Sequence, residues 1–212
     1  MSRTEDNETL QHLGRASIQI VHDLKNQLNG LKLYATFLRK RMEKAERPAD
    51  EQETLAKLIS GLERAAADMT VLVRFGRALE LRRQPGTDLA RLLQDSADGA
   101  PVITDGGPFE GDFDPVLLAE ALKNITAGAR GESVAASDDG GPPKVRLSGD
   151  RPGEAVVEWH GAAAVPEGED PFRSLAGAAG LRMALAAKIV RAHGGEVSSE
   201  GGRIRARLPL QK

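Results

Sequence analysis

In the first stretch able to form a helix, apolar residues recur at Val21, Leu24, Leu28, Leu31, Ala35, Leu38 and Met42, in alternating steps of three and four. Steps that average about 3.5 residues keep one seam of a helix apolar along its whole length. Leu55, Leu58, Leu62, Ala65, Met69, Leu72, Gly76 and Leu79 repeat the pattern. Two such seams constrain the fold strongly, because neither is stable in water. Ile18, Ile20, Leu33, Tyr34 and Phe37 widen the first stripe, which fits a multi-helix bundle better than a two-stranded coil. Only ERPAD separates the two seams. Pro48 stops the first helix, and Asp50 with Glu53 predicts a capping box for the second. A connection this short makes the pair an antiparallel hairpin. One hairpin leaves half its stripe wet, whereas two bury it as a four-helix bundle. The expectation is therefore a homodimer through residues 8–82. The alternative is that the rest of the same chain covers the stripe.

The grammar changes after residue 82. The first 82 residues hold one Pro and four isolated Gly, out of 11 and 23 in the chain. Beyond Gln84 both become dense, and RQPGT between Arg83 and Thr87 reads as the domain boundary. Residues 87–210 alternate helices and strands. Thr87 is the expected cap of a short helix, DLARLLQD. Asp114 followed by Pro115 opens the helix DPVLLAEALKNITAGA. KVRLSGD and EAVVEWH read as strands around a turn at Arg151, Pro152 and Gly153. DDGGPP, from Asp138 to Pro143, reads as a loop. A third helix runs from Leu181 to Ala192 and ends at Gly194 and Gly195. EVSSEGGRIRARLPL is a hairpin turning at Gly201 and Gly202. Strands beside strands with helices on one face make a two-layer α/β sandwich. The whole chain is thus α plus α/β: a helical hairpin, then a sandwich.

Composition narrows the function classes. The formal charge is -2, without the basic surplus of a phosphate-backbone binder, so no nucleic-acid partner is expected. Cysteine is absent, which excludes disulfides, thiolate metal sites and cysteine catalysis. No apolar run approaches the roughly 18 residues that span a bilayer, and MSRTEDNETLQHLG is unlike a signal peptide. The expected location is the cytoplasm, with no membrane contact.

His22 is the residue with most chemical promise. It lies one position past the seam, so it faces solvent or the bundle flank. Asp23 follows it, and Asn26 lies at i+4 on the same face. A neutral imidazole nitrogen is a nucleophile. A neighbouring carboxylate can fix its tautomer and accept its proton, and an amide one turn away can orient water or a phosphoryl oxygen. On its own, a single histidine on a helix flank is ordinarily just a polar surface group.

Its neighbourhood says more. HDLKNQL, from His22 to Leu28, resembles the H-box of sensor histidine kinases: His, an acid, any residue, Lys or Arg, Asn or Thr, Pro, Leu. Gln27 stands where Pro is usual, which predicts a straighter helix there. Residues 8–82 resemble that family's dimerisation and phosphotransfer domain, and residues 87–210 its ATP-binding domain. DPVLLAEALKNITAGA resembles the N-box, and GLRMALAAKIVRAHGGEV the last family stretch, ending in AHGG. His193 belongs to that structural motif and receives no catalytic role.

The departures are concentrated in the second half. The family N-box, NxxxNA, ligates magnesium through its second Asn. Here NITAGA keeps Asn124 but has Gly128 at the ligand position, with no oxygen for a hard cation. Where the family has DxGxGI(P), whose Asp holds adenine, this chain has HGAAAVP: His160 replaces the Asp, and Ala162 and Ala164 the two Gly. Where the family has GxGLGLA, this chain has AAGLRMA, so Ala178 and Arg182 replace two Gly and only Gly180 remains. Those Gly let backbone amides approach phosphates. The lid between Pro166 and Gly180 is short. Three lost contacts of about 1–3 kcal/mol each remove ATP affinity of the family kind.

An intact phosphotransfer half beside a degenerate ATP half resembles dedicated histidine phosphotransferases. The resemblance implies a phosphorelay in which His22 takes a phosphoryl group from one receiver-domain aspartate and yields it to another, without ATP. The response-regulator partner supplies the aspartate and the magnesium, and this chain binds no cofactor of its own. Asp23 orients or deprotonates the imidazole, and Lys25 contacts acidic groups of the receiver. Two other readings stay open. One is a non-catalytic pseudokinase or phosphatase scaffold on a response regulator, with Asp23 and Asn26 placing water. The other is a divergent, soluble, ATP-dependent histidine kinase.

Overall fold

A computed structural model describes residues 3–42, 49–130, 143–161, 170–175 and 177–210. The expected turn at Pro48, most of the DDGGPP loop, and Ala162, Ala164 and Pro166 lie outside them. The chain divides into two compact units, Met1–Ala78 and Leu79–Lys212.

The first unit is two helices, α1 (Arg3–Met42) and α2 (Ala49–Gly76). At 1.5 Å per residue, α1 is about 60 Å long, and it runs unbroken through Gln27, where a proline would have removed a backbone hydrogen bond. Ala35, Ile59 and Val73 are buried, and Lys32 reaches Glu63 across the pair at 2.8 Å. α2 starts at Ala49, so Asp50 sits in its first turn rather than at the cap. Glu53 turns outward to Lys57 at 2.7 Å instead of closing a capping box. α2 also ends at Gly76, before Leu79. Among the described residues, no helix is long and apolar enough to cross a membrane.

The second unit runs β1 (Gln84–Asp88), α3 (Leu89–Ser96), β2 (Val102–Asp105), β3 (Glu110–Phe113), α4 (Pro115–Arg130), β4 (Lys144–Arg151), β5 (Glu154–His160), α5 (Gly177–Ala192), β6 (Glu196–Glu200) and β7 (Arg203–Pro209). Five strands form one mixed sheet, ordered β2-β4-β5-β7-β6, with β2 parallel to β4 and the other pairs antiparallel. The two hairpins, β4–β5 and β6–β7, fall where alternation predicted them. Val145, Trp159 and Ile204 stand in one row across the sheet, and Leu147, Val157 and Ala206 in the next. All six are buried. Each large side chain buried in this way contributes roughly 1.5–3 kcal/mol.

The facing layer is α4 and α5. Leu118, Leu122 and Ile125 on α4 and Leu185 and Ile189 on α5 are fully buried. Trp159 Nε1 donates to Thr126 Oγ1 at 2.9 Å and ties the sheet to α4. α5 is rich in alanine, so the helices approach closely. It ends at Ala192, and Gly194 just beyond takes a left-handed φ of +81°, which suits a residue without Cβ.

Three local expectations are corrected. Arg83–Thr87, read as the domain boundary, falls mostly in a strand, Gln84–Asp88, which pairs with Glu110–Phe113 in a separate two-stranded sheet. The cap of α3 is Asp88, not Thr87: its Oδ1 accepts from the amides of Ala90 (2.9 Å) and Arg91 (3.3 Å). Thr87 Oγ1 donates instead to the Gln84 carbonyl at 2.6 Å. α5 begins at Gly177 rather than Leu181, because the small residues before Leu181 continue the helix.

Candidate functional site

The reactive cluster expected on α1 is assembled by helical spacing alone. His22 Nδ1 lies 3.6 Å from Asp23 Oδ1, with the two side chains 44% and 59% exposed. The Asn26 amide nitrogen lies 3.4 Å from the same ring nitrogen, as the i+4 spacing dictates. Both neighbours thus crowd Nδ1, on one side of the ring. When Nδ1 carries the proton, the Asp23 carboxylate faces it, and the lone pair of Nε2 is left for attack. When the Asn26 amide donates to Nδ1, the proton moves to Nε2 and the ring is inert there. The two neighbours select opposite tautomers, so the balance between them sets the nucleophile. Asn29 is exposed and Lys25 half-buried on the same helix.

The positions expected to match a nucleotide site lie in the second unit, and two of them, Gly128 and Gly180, are tightly packed. A Cβ at Gly128 would collide with Met183 Sδ and lie 2.9 Å from Met183 Cγ. The α5 thioether therefore occupies the space a side chain at position 128 would need. A Cβ at Gly180 would meet the Ser174 carbonyl oxygen at 3.0 Å and its hydroxyl at 3.1 Å. This glycine is used for tight packing of the helix against residue 174, rather than for an open phosphate loop. Gly180 and Arg182 are both inside α5, in its first two turns. Residues before them form a closed turn: Asp170 Oδ1 accepts from the Phe172 amide at 2.9 Å, and the Phe172 ring is buried. Asn124 is half-buried on α4.

His160 ends β5 and turns to an acid of its own strand, with Nε2 3.6 Å from Glu158 Oε2. Glu158 already receives Arg205, Nε at 2.9 Å and Nη2 at 2.5 Å. The Arg205 hydrogen bonds hold its carboxyl below the usual range against the opposing effect of burial. In this pairing His160 is part of a charged network that includes Glu158 and Arg205. The structure thus keeps His22, Asp23 and Asn26 together on α1, and puts Asn124, Gly128, Gly180 and Arg182 on the helices of the second unit, with His160 at a strand end.

Met183 was missed in the sequence. It reads as one more apolar position of a helix, and nothing along the chain tells that it faces Gly128.

No protein-family model matches the chain, and no curated protein matches it. Solved structures do. Full-length ShkA in complex with AMPPNP is similar at a TM-score of 0.65 and 20% identity, over 92% of this chain and 45% of that one. The chain therefore spans a little under half of ShkA. The Acinetobacter baumannii histidine kinase AdeS is similar at a TM-score of 0.52 and 15% identity, over 90% of this chain and 98% of that one. The chain, helical hairpin and α/β sandwich together, shares its fold with these two structures, and so with a histidine kinase.

Proposed function

We propose that this chain is a phosphorelay histidine phosphotransferase of two-component signalling, working through His22 and without ATP. One contrast carries the reading: the imidazole on α1 is exposed beside an acid and an amide, whereas the magnesium-ligand position is a glycine whose space holds Met183. Mg-ATP does not fit these residues. Gly128 offers no oxygen, and a thioether is a poor ligand for a hard cation.

In the proposed transfer, Nε2 of His22 attacks the phosphorus of a receiver's aspartyl phosphate in line. The N–P bond forms as the P–O bond to the aspartate breaks, and the carboxylate leaves with the electron pair. Asp23 faces the Nδ1 proton and stabilises the cationic ring that results. The second receiver's carboxylate then attacks the same phosphorus and the imidazole leaves. Receivers bring the aspartate and the magnesium, so this chain needs only to present the nitrogen. Lys25 suits an acidic receiver surface.

We further propose that the working form is a homodimer through the hairpin. In one chain Leu31, Leu38 and Leu58 of the seams stay 54%, 50% and 53% exposed. Large apolar surface of this kind marks an interface. The test of the reading is label transfer: incubation with a phosphorylated receiver gives an acid-labile, base-stable phosphoryl group on this chain. A chain that binds receivers and never acquires label leaves the scaffold reading. Label taken from ATP leaves the kinase reading.

A further inference from the structure

The segment that enters the sandwich is held at one node built around buried Asp114. The Arg82 amide donates to Asp114 Oδ2 at 2.8 Å. The Arg83 guanidinium donates to the carbonyls of Asp112 at 3.3 Å and Ala192 at 3.1 Å. Asp114 Oδ1 meanwhile caps α4, accepting from the amides of Val116 (3.1 Å) and Leu117 (3.0 Å). One carboxylate therefore ties the incoming strap to the start of α4, and Arg83 ties it to the end of α5.

Asp114 is itself held by His193. Its backbone amide donates to His193 Nε2 at 3.0 Å, and Nδ1 lies 2.8 Å from the Ile189 carbonyl. The carbonyl can only accept and the amide can only donate, so Nδ1 bears the proton and Nε2 the lone pair. The ring is 1% exposed and leans on Phe113, with centroids 6.0 Å apart. Only the neutral imidazole satisfies both bonds. A second proton would set two N–H groups against each other at Nε2.

We propose that His193 is an acid-sensitive pin, whose protonation breaks its bond to the Asp114 amide and loosens the strap of Arg82 and Arg83 on α4 and α5. The charged groups facing it come from each neighbouring element. Arg83 of the entering segment opposes a positive ring, while Asp112 of β3, Asp114 and the Ile189 carbonyl of α5 favour one. Burial, the largest influence, opposes it too, and the imidazole is held below its ordinary value of 6.5. The unfolded or opened node takes a proton at the ordinary value, and the closed node only below it. Strap stability is therefore full above pH 6.5, declines as the pH falls below that, and levels off below the depressed value.

Amide hydrogen exchange on the full chain tests this, with rates expressed relative to intrinsic exchange. Between pH 7.5 and 5.5, protection at Arg82, Asp114, Val116 and Leu117 is expected to fall. The fall is at most about tenfold for each unit by which the node depresses the imidazole. Val157 and Ala206 in the central strands keep their protection. His193→Gln retains an acceptor for the Asp114 amide and takes up no proton, so its profile is flat, whereas His160→Gln keeps the wild-type slope. Flat protection in the wild type, or an undiminished slope in His193→Gln, overturns the proposal. If His193→Gln does not fold, the imidazole of the wild type is titrated by NMR. A midpoint below 6.5 shared with the Arg82 amide supports the pin, and a midpoint at the ordinary value, or one the amide does not share, overturns it.

Discussion

The hairpin and the sandwich use the same aliphatic alphabet to opposite ends. On α1, Leu31, Leu33, Tyr34, Phe37 and Leu38 are exposed in the single chain, and His22 stands among polar neighbours at the surface. In the sandwich, Leu118, Leu122, Trp159, Leu185 and Ile189 are sealed. Among the described residues no buried side-chain polar atom lacks a hydrogen-bond partner. Asp114 is typical. Burial works against its charge, yet the amides of Leu117, Arg82 and Val116 outweigh that, and its carboxyl sits below the usual range. The proposed function rests on this difference: the hairpin leaves apolar side chains open, while the buried polar side chains described in the sandwich are answered internally. Under the proposed function the chemistry lies in the less finished half.

That contrast is most easily broken at His22. His22→Ala is expected to abolish acid-labile labelling entirely. Label that survives on His160 or His193 would return the chemistry to the sandwich. Next in size, Leu31→Asp with Leu62→Asp is expected to turn dimers into monomers or unfold the hairpin, read by sedimentation at tens of micromolar, above the roughly micromolar dissociation constants usual for such pairs. A wild type already monomeric there ends the four-helix reading. Asp23→Asn is expected to slow transfer about 10²-fold, the ordinary scale for one acid–base partner, with receiver binding unchanged. If the rate is untouched, the carboxylate does not set the tautomer.

Smaller effects sharpen the comparison from the other side. Gly128→Asn supplies an oxygen at the position expected to match the family's magnesium ligand but drives a side chain into Met183. It is expected to destabilise the sandwich by about 1–3 kcal/mol in denaturant unfolding, with no saturable Mg-ATP heat in calorimetry. Tight ATP binding by that variant would show the site to be dormant rather than filled. Asp88→Ala is expected to cost about 1 kcal/mol, and Thr87→Val less, since Asp88 and not Thr87 accepts from the amides of Ala90 and Arg91.

What could be read from the sequence depended on how far apart the deciding contacts lie. The seams on α1 and α2 and the alternation in KVRLSGD and EAVVEWH are local, and they specified helices and hairpins unaided. β1 was unreadable because QPGTD carries a proline and a glycine and no alternation, and its partner EGDF is four residues long. The strand exists through pairing between them. The start of α5 was misplaced because GAAG has the composition of a loop and becomes helix by packing. The missing side chain at Gly128 was visible, but what packs there was not, since Met183 reaches it from a different helix. His22, Asp23 and Asn26 were legible because a single helix fixes all three.

The sequence holds one tryptophan and one tyrosine, and the fold has dealt one to each unit. Trp159 is sealed against Thr126 in the sandwich, and Tyr34 is 70% exposed on the hairpin. Indole emission excited at the red edge therefore reports the sandwich alone, and the phenol signal reports the hairpin. With no label attached, a single melt viewed at two wavelengths separates the unfolding of one half from that of the other.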